Sequence, residues 1–324
     1  MRLTNVPIAA LALAAALLSS EAIAQEEADW REEVPVLRIG IVTGPAPNTD
    51  FALGQAEPFR AALEARLGSS VALVPATDYA RLMEAQLTGV PVAFLSATAF
   101  AQLFDLCSCV EPLAVPRNAD NSLGYRSVLL VPAGSPIGTV AALRGMRLAV
   151  SAADSIAGRL LPLALFVEEG LTVDALGALV ERASPAAAVE AMLAGEADAA
   201  LAWSSLTGSM SAGYSRGVMA QMVADGRLSM DDVRVAWRSP VIPNGPVAIR
   251  ADAPDDLKAD FLAALIDLAA SEPEIVALVD GSFAGGYVPA EPALYDPLIL
   301  MIENLPLLEP PTPEAPADDA ADPA

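Results

Sequence analysis

Short apolar runs alternating with helical stretches that stop at glycine constrain this chain more than any other feature. From Val36 onward the rhythm is regular. Residues 37–42 read as a strand, and residues 57–67 carry a helical period that ends at Gly68. Residues 71–74 form a second strand. Asp78 is placed to cap a helix that runs to Gly89, residues 92–95 form a third strand, and Ser96 opens another helix. A turn-rich break, Pro116-Arg117-Asn118-Ala119-Asp120-Asn121, comes before a long β-branched strand at 125–131. A short helix at 141–144 closes on Gly145 and a strand follows at 146–151. That strand feeds a helix over 160–169 that stops at Gly170. One more unit comprises a strand at 179–181, a helix at 186–193 ending at Gly195, and a strand at 198–202. Strands at 233–237 and 247–250 flank a Pro-rich turn from Pro240 to Pro246, and a helix covers 257–270.

Near-continuous apolar strands separated by helices predict an α/β chain, with mostly parallel sheets flanked by helices. The breaks near 117–127 and 238–246 separate a central segment from two outer ones. This predicts two lobes, residues 36–126 with 243–305 and residues 127–242, joined by two crossing strands. Ligands in such sheets sit at the carboxyl ends of strands, beside helix N-termini, so the expected site is a cleft between the lobes.

The N-terminus has the marks of an export signal. Arg2 precedes an apolar run over 6–18, and Ala22-Ile23-Ala24 is an A-x-A cleavage site. Cleavage after Ala24 and export are expected. The run falls short of the ~20 apolar residues of a membrane span. Residues 25–35 read as a loose leader. Residues 306–324 are mainly Pro, Ala, Asp and Glu, a composition that predicts a disordered tail.

The net charge is −23, and loss of Arg2 with Glu21 leaves it unchanged. Such a surface disfavours nucleic acid as a partner. The chain has no histidine, which excludes a Ser-His-Asp triad, a Cys-His pair and His-ligated metal. An enzyme working through carboxylates stays open, but a non-catalytic protein without a cofactor or metal is expected. Export permits a disulfide between the two cysteines, Cys107 and Cys109, if the chain turns tightly at Ser108. Two reduced thiols, or a soft-metal site from the two thiolates, are the other readings.

The chain resembles the periplasmic solute-binding proteins of phosphate, phosphite and phosphonate ABC transporters. The resemblance rests on the order and spacing of several stretches. They include Leu37-Arg38-Ile39-Gly40, Gly124-Tyr125-Arg126-Ser127, Leu193-Ala194-Gly195-Glu196-Ala197-Asp198, Trp237-Arg238-Ser239-Pro240, Ile242-Pro243-Asn244 and Gly286-Tyr287-Val288-Pro289. It implies a type II periplasmic-binding fold and a monomer that takes a small-molecule ligand, closes on it and meets an inner-membrane ABC permease. A ligand-binding subunit of a periplasmic sensing system is the alternative role, and a less charged organic solute the alternative ligand.

The anion-holding positions of that family are only partly matched. Where relatives carry Ser-Thr-Ser-Gly, this chain has Ser155-Ile156-Ala157-Gly158, so one hydroxyl of three is kept along with the backbone amides. Where relatives carry Gly-Pro-x-x-Tyr, it has Ser96-Ala97-Thr98-Ala99-Phe100. Pro185 replaces a common His, and Trp203, followed by Ser204, replaces a common Asp. The expected ligand-binding residues are Thr43, Ser96, Thr98, Tyr125, Ser155, Ile156, Ala157, Arg159, Trp203 and Ser204. Asp154 is placed either to cap the helix behind it or to face the ligand.

Overall fold

The computed structural model describes residues 29–44, 48–280 and 284–308. The expected signal peptide and the tail beyond residue 308 lie outside these residues. In chain order the first elements are α1 (Trp30–Glu33), β1 (Val36–Val42), α2 (Asn48–Leu67), β2 (Ser70–Ala76), α3 (Tyr79–Leu87), β3 (Val92–Phe94), α4 (Ala97–Cys107) and β4 (Val110–Pro116). The central part holds β5 (Gly124–Pro132), β6 (Arg147–Val150), α5 (Leu161–Glu168), β7 (Ala178–Glu181), α6 (Pro185–Leu193), β8 (Ala199–Ser204), α7 (Val218–Ala224) and β9 (Val233–Arg238). The chain then forms β10 (Ile242–Pro243), β11 (Val247–Arg250), α8 (Asp255–Ser271), α9 (Pro273–Val276), β12 (Tyr287–Pro289) and α10 (Asp296–Leu308). None of the described helices is long and apolar enough to cross a membrane.

These strands build two sheets. One has the order β12-β4-β11-β3-β1-β2, the other β10-β5-β8-β6-β7 with β9 also paired to β5. The sheets are mixed rather than mostly parallel. Pairing is parallel where a helix links neighbouring strands, as in β1–β2 and β6–β7. It is antiparallel for β4, β5, β9, β10, β11 and β12. The sequence pattern hides this because a strand covered on both faces looks equally apolar in either direction.

The caps follow local chemistry. Asp78 accepts from the Arg81 amide at 2.9 Å at the start of α3, and Ser184 caps α6. Gly68 follows α2 with φ +64°, a left-handed conformation open to glycine at little cost. Cys107 and Cys109 are joined in a disulfide with Cα atoms 5.0 Å apart. Ser108, with φ +49°, makes the turn between them.

The first sheet buries Leu37, Ile39, Phe59, Leu63, Phe261 and Leu265 against α2 and α8. The second buries Val128, Leu130, Val189, Ala200 and Met219 against α6 and α7. A third cluster includes Ala93 and Ala248 from the first sheet, Leu129 and Leu148 from the second, and Leu103, Phe166, Leu298 and Met301 from the helices, and therefore draws on both sheets.

Two expectations about the termini need correction. The leader is not loose over its last residues: Trp30 in α1 is fully buried and its indole Nε1 donates to Asp260 on α8 at 2.9 Å. Burial of so large a ring with its polar atom satisfied offsets the cost of ordering one helical turn. The tail expected from Pro306 starts too early, because α10 continues through Pro306 to Leu308. Leu298, Met301 and Leu308 are buried along α10, which packs against both α4 and α5.

Candidate functional site

Two helix starts frame a cleft. On the first sheet, β3 ends at Phe94 and Ser96 caps α4, its Oγ accepting from the Ala99 amide at 3.1 Å. On the second, β6 ends at Val150 and the chain turns to Ser155, whose Oγ accepts from the Gly158 amide at 3.2 Å. Residues Ile156–Leu160 then form a π-helical turn that leads into α5. Gly158 allows this turn to lie against the end of β6, since a Cβ there would stand 2.2 Å from Ser151 Oγ. Ser127 on β5 donates to the Ala157 carbonyl at 2.6 Å. These bonds hold the turn and leave the Ile156 and Ala157 amides without an acceptor among the described residues.

The cleft consists of two adjoining cavities. The first, about 540 Å³, is lined by Tyr79, Ser96, Ala97, Thr98, Tyr125, Ile156, Asn244, Gly245 and Asp280 among others. The second, about 600 Å³, is lined by Asn118, Tyr125, Asp154, Ser155, Ile156, Ala157, Pro185, Trp203, Arg216 and Asn244. Tyr125, Ile156 and Asn244 belong to both. The Tyr125 and Trp203 rings pack edge to face with centroids 5.2 Å apart. Burial raises the Tyr125 phenol, and burial with the Asp280 carboxylate raises Tyr79, so both stay protonated and able to donate.

Of the residues expected from the sequence, Ser96, Thr98, Tyr125, Ser155, Ile156, Ala157 and Trp203 line the cleft. Three others do not. Thr43 spends its hydroxyl on the Ala76 carbonyl at 3.3 Å. Arg159 pairs with Glu181 at 2.6 Å instead of turning into the cleft. Ser204 is fully buried and accepts from the Leu206 amide at 3.1 Å. In each case a partner close in the fold satisfies the polar group. Asp154 does not cap the turn: Ser155 does, and Asp154 is an exposed residue at the rim of the second cavity.

Sequence reasoning missed Tyr79, Asn118, Arg216, Asn244 and Asp280. Asn244 lies in the Pro-rich turn that marked a break. Its side-chain nitrogen donates to the Pro116 carbonyl at 2.8 Å, and Tyr295 donates to its carbonyl at 2.8 Å. Arg216 is set by a polar cluster at the crossing between the sheets. It donates to the Gly124 carbonyl at 3.0 Å and to Ser122 Oγ at 3.2 Å, and lies 3.5 Å from Asp120. Burial alone would raise Asp120. Hydrogen bonds from the Ser122 and Ser215 hydroxyls and the Ser122 amide, with the Arg216 charge, outweigh it and hold Asp120 at about 2.

That value carries a pH dependence. Asp120 is lowered in the folded state, so its contribution is present above its unfolded value near 4 and is lost as pH falls toward 2. Asp120→Asn is expected to cost about 1–2 kcal/mol at pH 7, and the difference from wild type should shrink between pH ~4 and ~2. Urea denaturation at several pH values measures it. A difference that does not change across that window removes Asp120 as the source.

Comparisons with known proteins agree with the geometry. A family model described as ABC transporter, phosphonate, periplasmic substrate-binding protein matches residues 41–295. The phosphate-import protein PhnD of Mycolicibacterium smegmatis is 28% identical over 203 residues, and the match spans 61% of this chain and 61% of that relative's length. Among solved structures, XAC2383 from Xanthomonas citri, bound to ATP, superposes with TM-score 0.54 at 16% identity, covering 84% of this chain and 99% of that one. Transferrin 1 from Manduca sexta superposes with TM-score 0.57 at 14% identity, covering 84% of this chain and 46% of that one. The two structural likenesses bear on the fold alone. With the family description matched over most of its length, the chain belongs to the periplasmic phosphonate-binding family of ABC-transporter substrate-binding proteins.

Proposed function

We propose that this chain binds a small oxyanion or phosphonate-like solute between two lobes, residues 36–126 with 243–305 and residues 127–242, and delivers it to an inner-membrane ABC permease. One observation carries the reading: capped helix starts from two different sheets meet at one cleft. Free amides at a helix start bind negative charge through their hydrogens and through the helix dipole. In this reading Ser96 and Thr98 contact the anion from one side. Ser155 and the Ile156 and Ala157 amides contact it from the other. Tyr79 and Tyr125 donate from the walls, and Asn244 sits where the two cavities join. Only one hydroxyl of the usual three is present at 155–157, so the amides and phenols carry more of the binding.

A thermal-shift panel on the mature protein tests this with phosphate, phosphite, methylphosphonate, sulfonates and uncharged organic solutes. A ligand at 100-fold above its Kd adds about 2.7 kcal/mol of stability. Phosphate, phosphite or a phosphonate is expected to raise the melting temperature. The proposal fails if no oxyanion moves it and an uncharged solute does.

A further inference from the structure

A compact oxyanion occupies only part of this cleft. Cavities of roughly 300–1,000 Å³ suit organic molecules of drug size, and here two lie side by side, at about 540 and 600 Å³. Tyr125, Ile156 and Asn244 wall both, so an anion held at the helix starts sits where the cavities meet. The second cavity is also lined by Trp203 and Arg216. Trp203 lies at the end of β8, half-buried, with the Tyr125 ring packed against it at 5.2 Å. A bare phosphate would leave this aromatic wall in water.

We infer that the ligand is an organic anion whose planar or aromatic substituent extends from the anion site into the second cavity and packs against Trp203. This rests on the proposed reading of the cleft as an anion site. Apolar burial and ring packing supply the selectivity, because the substituent leaves water and the Trp203 face is covered.

The test compares methylphosphonate with phenylphosphonate on the intact mature protein. Phenylphosphonate is expected to bind about tenfold tighter by calorimetric titration. In Trp203→Ala the ratio of the two dissociation constants should fall to about one. Because Trp203→Ala removes a half-buried ring and can impair folding, a second readout uses the wild-type protein. The chain has three tryptophans, and proton–nitrogen NMR resolves their indole groups. Phenylphosphonate should shift the Trp203 indole through its ring current, and methylphosphonate should not. Assignment comes from the resonance missing in Trp203→Phe. Equal or weaker binding of phenylphosphonate, an unmoved Trp203 indole, or an unchanged ratio in folded Trp203→Ala overturns the inference and leaves the anion site standing. Binding of neither phosphonate, nor of any other oxyanion in the panel, overturns both.

Discussion

Gly245→Ala is expected to weaken ligand binding about 10- to 100-fold and to lower stability by about 3 kcal/mol. Gly245 lies in the turn that carries the chain from β10 on the second sheet to β11 on the first. A Cβ at this position would stand 2.1 Å from the Leu95 carbonyl oxygen and 3.0 Å from the Ser96 Cα. Both are backbone atoms, so no side-chain rotation relieves the clash. The Leu95 amide also donates to the Pro246 carbonyl at 3.1 Å, which ties the same two segments together. To admit a methyl group, the turn must lift away from the start of α4, moving Asn244 and Ser96 relative to each other. Each hydrogen bond lost to a charged oxyanion is worth about 1.5–3 kcal/mol, which sets the expected loss of affinity. Titration with whichever oxyanion stabilises the wild type, together with urea denaturation, reads both effects. Wild-type affinity in Gly245→Ala would remove this turn from the binding site.

The second large effect concerns the crossing between the sheets. Gly124→Ala is expected to cost about 3 kcal/mol, near the upper end for overpacking. A Cβ on Gly124 would lie 2.0 Å from the Ile242 carbonyl oxygen and 2.8 Å from the Pro243 Cα. Gly124 pairs with Pro243 and Tyr125 with Ile242, so the clash falls on the antiparallel contact of β5 with β10. The same residue accepts from Arg216 through its carbonyl, so opening the pair also disturbs the Asp120 cluster. The denaturation midpoint should fall while the slope of the transition stays constant. An unfolding free energy within about 0.5 kcal/mol of wild type would mean that the two strands separate at almost no cost.

Local chemistry made much of this fold readable in advance. The apolar runs at 37–42, 92–95 and 125–131 coincide with strands, and Asp78 and Ser96 cap the helices they precede. Such features depend on residues within one or two turns, and a linear sequence displays them directly. The start of the candidate site was legible for the same reason, since Ser96, Thr98 and residues 155–157 follow the ends of apolar strands.

Other features depended on partners distant in sequence. Trp30 packs in the core with Phe59 and Phe261, and its indole is satisfied there only because Asp260, 230 residues away, accepts from it. α10 forms because α4 and α5, from different sheets, together offer an apolar bed for Leu298 and Met301. Thr43, Arg159 and Ser204 have the right chemistry for an anion, but Ala76, Glu181 and Leu206 engage them first. Asn244 reaches the cleft through a turn whose composition alone signals only a break, and Arg216 reaches it from the connection between β8 and α7.

The sequence by itself determined the α/β rhythm, the helix caps, the absence of histidine chemistry and the family. The tertiary structure alone decided strand direction, which polar side chains remain available to a ligand and which are already engaged, and how Trp203 and Arg216 come to share a cavity with Ser155. The physical reason is range. Backbone preference and capping act over a few residues, whereas close packing and the satisfaction of buried polar groups depend on whatever the completed fold brings within a few ångströms.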